Sequence, residues 1–190
     1  ETDSVLVINL SGVMKERSQD NVLNKLTRNA TGNPGLENTL AAIKKAKDNK
    51  DVKGIYLEAG FFSTDFASLQ ELRQALADFR KSGKWIVAYG ETYTQGTYYL
   101  ASVANKVYLN PQGSLDWHGI AAEPMFVKDL LAKFGVKMQV VKVGKYKSAT
   151  EMYTEDKMSD ANREQVKRYI DGLWGNTVSY THLTLPTNRE

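Results

Sequence analysis

Apolar positions fall in short runs and helical stripes that alternate along the chain. Residues 5–10 form a nearly continuous apolar run rich in β-branched side chains and stop at Ser11-Gly12, which predicts a buried strand ending in a turn. The next twenty or so residues read as loop. Asn33-Pro34-Gly35 then opens a helix in which Leu36, Leu40 and Ile43 repeat at helical spacing, with Lys44, Lys45 and Lys47 late, where the helix dipole favours cations. A strand over 52–57 follows. Ser68 and Glu71 have the spacing of a capping box, and Leu69, Leu72, Leu76 and Phe79 make one apolar face that ends near Gly83. Residues 85–89 predict another buried strand, 97–103 a short helix and 107–109 a further strand.

Beyond Pro124, residues 127–134 predict a helix closed by Gly135, and 137–143 a strand running into Gly144. Ser159 caps a last helix in which Val166, Tyr169, Ile170 and Leu173 share a face and Lys167 pairs with Asp171. Repeated strand-helix units predict an α/β fold with a largely parallel sheet and right-handed crossovers. Residues 178–190 keep no helical or strand period and resemble a translated sequencing adapter. The chain is therefore expected to hold one repeat over 1–176 and a non-native tail over 177–190, without regular structure, with the natural protein continuing beyond about Asn176 and this chain its front part.

Composition narrows the chemistry. The net charge of +3 is small for 190 residues and the basic side chains are interleaved with acids, so no nucleic-acid partner is expected. No stretch reaches the roughly 18 apolar residues of a membrane helix. With no cysteine, thiol catalysis, disulfides and thiolate metal sites are excluded, and with only His118 and His182 a histidine-rich metal site or a Ser/His/Asp arrangement has little to draw on. An acid or base must then be a carboxylate, a lysine or a tyrosine.

The strongest local signal is Val143-Gly144-Lys145-Tyr146-Lys147-Ser148-Ala149, where the predicted strand gives way to loop. A lysine acts as a base only when burial destabilises its ammonium, which an adjacent apolar strand could do for Lys147. By composition alone, a lysine flanked by Lys142 and Lys145 reads as a solvated surface charge. Asp116-Trp117-His118-Gly119 reads as a structural turn, because sequence neighbours rarely form a catalytic pair. Glu151, Glu155 and Asp156 read as a solvated acidic face, and Ser148 as a side chain directed away from Lys147. Tyr89, Tyr93, Tyr98, Tyr99 and Tyr108 either line a groove for apolar peptides or pack a core.

Three segments carry a resemblance: Tyr89-Gly90-Glu91-Thr92-Tyr93-Thr94-Gln95-Gly96-Thr97-Tyr98-Tyr99-Leu100-Ala101-Ser102, then Asn110-Pro111-Gln112-Gly113, then Gly144-Lys145-Tyr146-Lys147-Ser148-Ala149. In this order they resemble the amino-terminal half of the long, two-repeat form of the signal peptide peptidase A family, over residues 5–174. The resemblance implies a ClpP/crotonase-like fold and a serine peptidase working through a Ser/Lys dyad, with Lys147 as base. The family's nucleophile pattern in the second repeat, Ala-Ser-Gly-Gly-Tyr, reads Thr94-Gln95-Gly96-Thr97-Tyr98 here, so Gln95 stands where the serine would. Glu58-Ala59-Gly60-Phe61 is the candidate oxyanion turn; it lacks paired glycines, and Gly60 reads as an ordinary turn residue. The resemblance further implies hydrophobic peptide substrates, no metal or organic cofactor, a homotetramer, and a membrane anchor upstream that holds the protein at the periplasmic face of the bacterial inner membrane. The rival readings are a non-catalytic assembly and substrate-gripping half, and an acyl-CoA hydratase or isomerase on the same fold.

Overall fold

The computed structural model describes residues 3–17, 35–141, 143, 144 and 146–181. These fall into two compact units, one within residues 1–118 and the other residues 119–178. In the first unit, strands β1 (Ser4–Val13), β2 (Val52–Ser63), β3 (Trp85–Tyr93) and β4 (Lys106–Leu115) form one sheet in the order β1-β2-β3-β4, every pair parallel. Helices α1 (Leu36–Asp48), α2 (Phe66–Arg80) and α3 (Gln95–Ala101) lie between successive strands. Parallel neighbours require such crossovers, and the expected α/β fold of strand-helix units is present.

Alternation along the strands decides which face is covered. Ile8 and Leu10 of β1, Ile55 and Leu57 of β2, and Ile86 and Ala88 of β3 are buried and form one cluster with Leu72, Leu76 and Phe79 of α2 and Leu36 and Ile43 of α1. Leu69 is partly buried against the same cluster, as the apolar stripe predicts. The intervening residues Val5, Val7, Trp85 and Tyr108 are exposed on the other side of the sheet. There the Trp85 indole lies over Gly54, where a Cβ would come within 2.3 Å of the ring, so any side chain there would have to displace the indole.

Element ends differ from the expected ones for local reasons. Ser11-Gly12 is not a turn: β1 runs through it with a register shift between Leu10 and Gly12, and Gly12 takes φ 69, a bulge conformation open to glycine. The Ser68/Glu71 box is not the start of α2 either. Asp65 is the N-cap, its carboxylate accepting from the Ser68 N–H at 2.9 Å and the Ser68 hydroxyl at 2.7 Å. Those bonds hold the Asp65 carboxyl below the usual carboxylate range. Helix α3 begins two residues before the expected Thr97, on Gln95, because Thr94 and Thr97 cap each other reciprocally. Lys84 Nζ donates to the carbonyls of Ala46, Lys47 and Asn49 at 2.7, 2.9 and 2.6 Å, satisfying the end of α1. Buried Arg73 of α2 donates to Ser102 Oγ at 2.6 Å and to the Tyr99 carbonyl, tying α2 to the C-terminus of α3.

The second unit holds α4 (Lys128–Lys133), a 3₁₀ turn (Ser148–Thr150), α5 (Glu151–Thr154) and, through Val178, most of α6 (Asp160–Thr181). Gly135, at φ 72, closes α4 as predicted. The strand expected over 137–143 is not formed: its described residues have no regular structure, and Val141 and Val143 are 91% and 83% exposed. Alternating sequence makes a strand only where a neighbour completes the ladder, and among the described residues none pairs with this segment. Ser159 caps α6, its Oγ accepting from the Asn162 N–H at 3.2 Å, and Lys167 pairs with Asp171 at 2.9 Å. Tyr169 is exposed, so it leaves the face shared by the half-buried Val166, Ile170 and Leu173. Helix α6 also passes the expected repeat boundary, since Val178, Ser179, Tyr180 and Thr181 are helical, contrary to the expectation of no regular structure. Extending an existing helix needs only one more hydrogen bond per residue. The loop read for residues after Gly12 and the tail with Leu183 and Leu185 lie largely outside the described residues.

Candidate active site

Lys147 sits at the head of the Ser148–Thr150 turn, with φ -96 and ψ 65, and its side chain is exposed. Among the described residues the apolar strand expected to desolvate it does not form, so the described part of 137–143 supplies no desolvating wall. The turn itself is anchored. Ser148 Oγ donates to Gln165 Oε1 of α6 at 3.2 Å, so Ser148 is engaged away from Lys147. Met152 O accepts from the Val127 N–H at 2.7 Å. Lys142 and Lys145 lie outside the described residues.

Two of the three carboxylates read as a solvated acidic face, Asp156 and Glu151, have side-chain partners among the described residues. Asp156 bonds Lys128 Nζ at 2.9 Å and holds that lysine above its ordinary range. Glu151 departs from the expected solvated face: it is 4% exposed, and its carboxylate accepts from Ser159 and Asn162 at the start of α6. An anion there satisfies N-terminal donors and faces the positive end of the helix dipole. Sequence reading missed it because a carboxylate's burial is written in tertiary contacts rather than in local composition.

In the first unit, Gln95 occupies the first turn of α3, and its amide oxygen is buried without a hydrogen-bond partner among the described residues. An amide can neither attack a carbonyl nor form an ester, so this position offers no nucleophile. Gly60 lies inside β2 instead of in a turn. The Asp116–His118 pair is real, at 3.2 Å, but both side chains are exposed and two residues apart, as in a surface turn. Among the described residues, no group of three or more His, Asp or Glu could hold a metal ion.

The tyrosines divide between the core and the wall of a cavity. Tyr99 and Tyr93 are 2% and 1% exposed and belong to the core. Tyr93 also lines, with Tyr98, Tyr108, Leu109 and Leu115, a cavity of about 530 Å³ beside β4. Burial first, then the neighbouring Tyr56, Tyr89 and Tyr98, push the Tyr93 phenol up, so it stays protonated and donates to the Tyr108 carbonyl at 3.1 Å. Tyr98 meets Trp117 edge-on at 5.6 Å. The cavity is apolar-walled with polar tips, a form suited to a hydrophobic side chain.

Peptidase family S49 matches residues 78–181. Protease 4 of Salmonella typhi is 41% identical over 194 residues, covering 97% of this chain and 31% of that protein. Protease 4 of Haemophilus influenzae is 37% identical over 138 residues, covering 72% of this chain and 22% of that protein. The chloroplastic serine protease SPPA of Arabidopsis thaliana is 29% identical over 134 residues, 70% of this chain and 20% of that protein. The chain thus spans less than a third of the length of these curated relatives. Among solved structures, an enoyl-CoA hydratase/isomerase family protein from Silicibacter pomeroyi aligns at TM-score 0.38 and 14% identity, over 97% of this chain and 90% of that one. An enoyl-CoA hydratase from Shewanella pealeana aligns at TM-score 0.34 and 12% identity, over 78% of this chain and 68% of that one.

Proposed function

The chain belongs to peptidase family S49, the family of the protease 4 (signal peptide peptidase A) proteins, and from that premise we propose that it is the lysine-bearing part of a serine endopeptidase that degrades cleaved signal peptides. One observation carries the reading: the Tyr146-Lys147-Ser148-Ala149 motif presents an exposed lysine at the head of an anchored turn, so its ammonium is available to a serine from outside this unit.

In the proposed reaction a serine outside this chain attacks the scissile carbonyl carbon. Lys147 Nζ, neutral at that moment, takes the Oγ proton as the Oγ–C bond forms. The C–N bond then breaks, and Lys147 returns the proton to the leaving amine. Water, deprotonated by the same Nζ, then attacks the acyl carbon; the Oγ–C bond breaks, the acid is released, and Nζ returns the proton to the serine Oγ. A free lysine titrates near 10.4, so the rest of the protein must cover Lys147 and lower that value. The aromatic cavity beside β4 would take an apolar side chain of the peptide. The same reading carries a homotetramer at the periplasmic face of a bacterial inner membrane, anchored by a segment outside this chain, and a reaction without metal or organic cofactor.

A hydratase or isomerase on this fold would need two backbone N–H donors in a glycine-rich turn. The candidate residues around Gly60 are strand, which disfavours that rival. The test is turnover of an apolar chromogenic peptide by the 190-residue chain and by a protein of the relatives' full length that carries it. Turnover is expected only from the longer protein. Hydrolysis by the short chain at a comparable rate would overturn the division of labour.

A further inference from the structure

We propose that Glu151 is a positioning residue for Lys147, clamping the turn that begins at Lys147 onto the first turn of α6; the inference rests on Lys147 being the base. Only Ser148, Ala149 and Thr150 separate the two residues, and they form a single 3₁₀ turn that continues directly into α5 at Glu151. Where the Glu151 carboxylate is held, the Lys147 backbone has little freedom left.

The hold is thorough. Glu151 Oε1 accepts from Ser159 Oγ at 2.7 Å, and Oε2 accepts from the Ser159 N–H at 3.2 Å and from Asn162 Nδ2 at 3.0 Å. Ser159 Oγ in turn accepts from the Asn162 N–H at 3.2 Å, so the cap of α6 and the clamp are one network. Charge-assisted bonds to a buried carboxylate are stronger and more directional than neutral ones. The Ser148–Gln165 bond fixes the other end of the turn to the same helix. Both ends of the short path leading away from Lys147 are therefore referenced to α6, a 22-residue helix. Solvent-exposed turns of three residues do not need a buried carboxylate to persist. This one has such a carboxylate four residues after the proposed base, and general-base transfer tolerates little displacement of the accepting atom.

The test uses a full-length protein carrying this chain, with Glu151→Ala, Glu151→Gln, Ser159→Ala and Lys147→Ala. Readouts are kcat and KM against pH for an apolar peptide ester, beside the unfolding temperature. Glu151→Ala should lower kcat about 10- to 100-fold with KM nearly unchanged. It should also move the rising limb of the pH profile upward, because a loosened Lys147 is better solvated and its ammonium more stable. Glu151→Gln keeps a carbonyl acceptor at the site and should recover much of the rate with the limb near its original position. Ser159→Ala removes one clamp bond and should show the Ala pattern in smaller measure, which keeps the test open if Glu151→Ala does not fold. A rate loss in Glu151→Ala and Ser159→Ala with an unmoved pH limb would mean a purely structural carboxylate and overturn the inference. A downward shift shared by Ala and Gln would mean direct charge coupling and overturn it too. Retained activity in Lys147→Ala would instead sink the reading of the base itself, so the two failures are distinguishable.

Discussion

Lys147→Ala in a protein of the relatives' full length is expected to reduce kcat for an apolar peptide substrate about 10³-fold or more, while Lys145→Ala stays within a few-fold of the unaltered protein. A positioned base contributes about 10²- to 10⁴-fold, and a serine hydroxyl without one is a weak nucleophile at neutral pH. Both substitutions remove one positive charge from the same short segment. A general electrostatic or folding effect would therefore strike them alike, whereas a proton acceptor is specific to one atom. Lys147→Arg should be as damaging as alanine, because a guanidinium stays protonated at any working pH. Steady-state kinetics on the four proteins give the answer. Loss of activity in Lys145→Ala with activity surviving in Lys147→Ala would put the base on the other lysine.

Leu76→Ala is expected to destabilise the first unit by about 3 kcal/mol, the middle of the range for leucine truncation in a well-packed core. Leu76 is fully buried within the cluster that joins α2 to the inner face of the sheet. Alanine there forfeits apolar burial and leaves a void that neighbours on a rigid sheet fill poorly. For a chain of this size the midpoint of thermal unfolding should fall by roughly 6–12 °C. Phe61→Ser is the control, since Phe61 is 77% exposed on β2, and it should move the midpoint little. Circular dichroism melts of the three proteins distinguish the two sites, and similar shifts for Leu76→Ala and Phe61→Ser would contradict the packing described for α2.

The parts of the fold legible in the sequence are those that one element decides by itself. The apolar runs marked where β1, β2 and β3 lie, and the Leu72, Leu76 and Phe79 stripe marked the inner face of α2. What two elements decide together was hidden. Strand β2 continues past Leu57 to Ser63 because Glu58 and Ala59 pair with Asn9 and Leu10 on one side and Tyr89 and Gly90 on the other. Its own sequence turns polar at Glu58 and gives no hint of those partners. The described residues of 137–143 show the converse: an alternating pattern with no described neighbour to complete a ladder, and no strand. Asp65 outcompeted the Ser68/Glu71 box as the start of α2, a choice between two adequate caps that propensity does not rank. At the site, Lys147 was legible only through the motif around it, because its composition is that of a solvated charge and the structure exposes it. Glu151 was illegible, since its partners stand eight and eleven residues further along the chain.

The claim that this chain carries the base but not the nucleophile is tested most directly by treating the full-length protein with a fluorophosphonate, which labels an activated serine, and locating the adduct by mass spectrometry. An adduct is expected on a serine outside the 190 residues of this chain, formed at neutral pH in the unaltered protein and suppressed in Lys147→Ala. An adduct on a serine of this chain, Ser148 above all, or labelling that proceeds unchanged in Lys147→Ala, would contradict it.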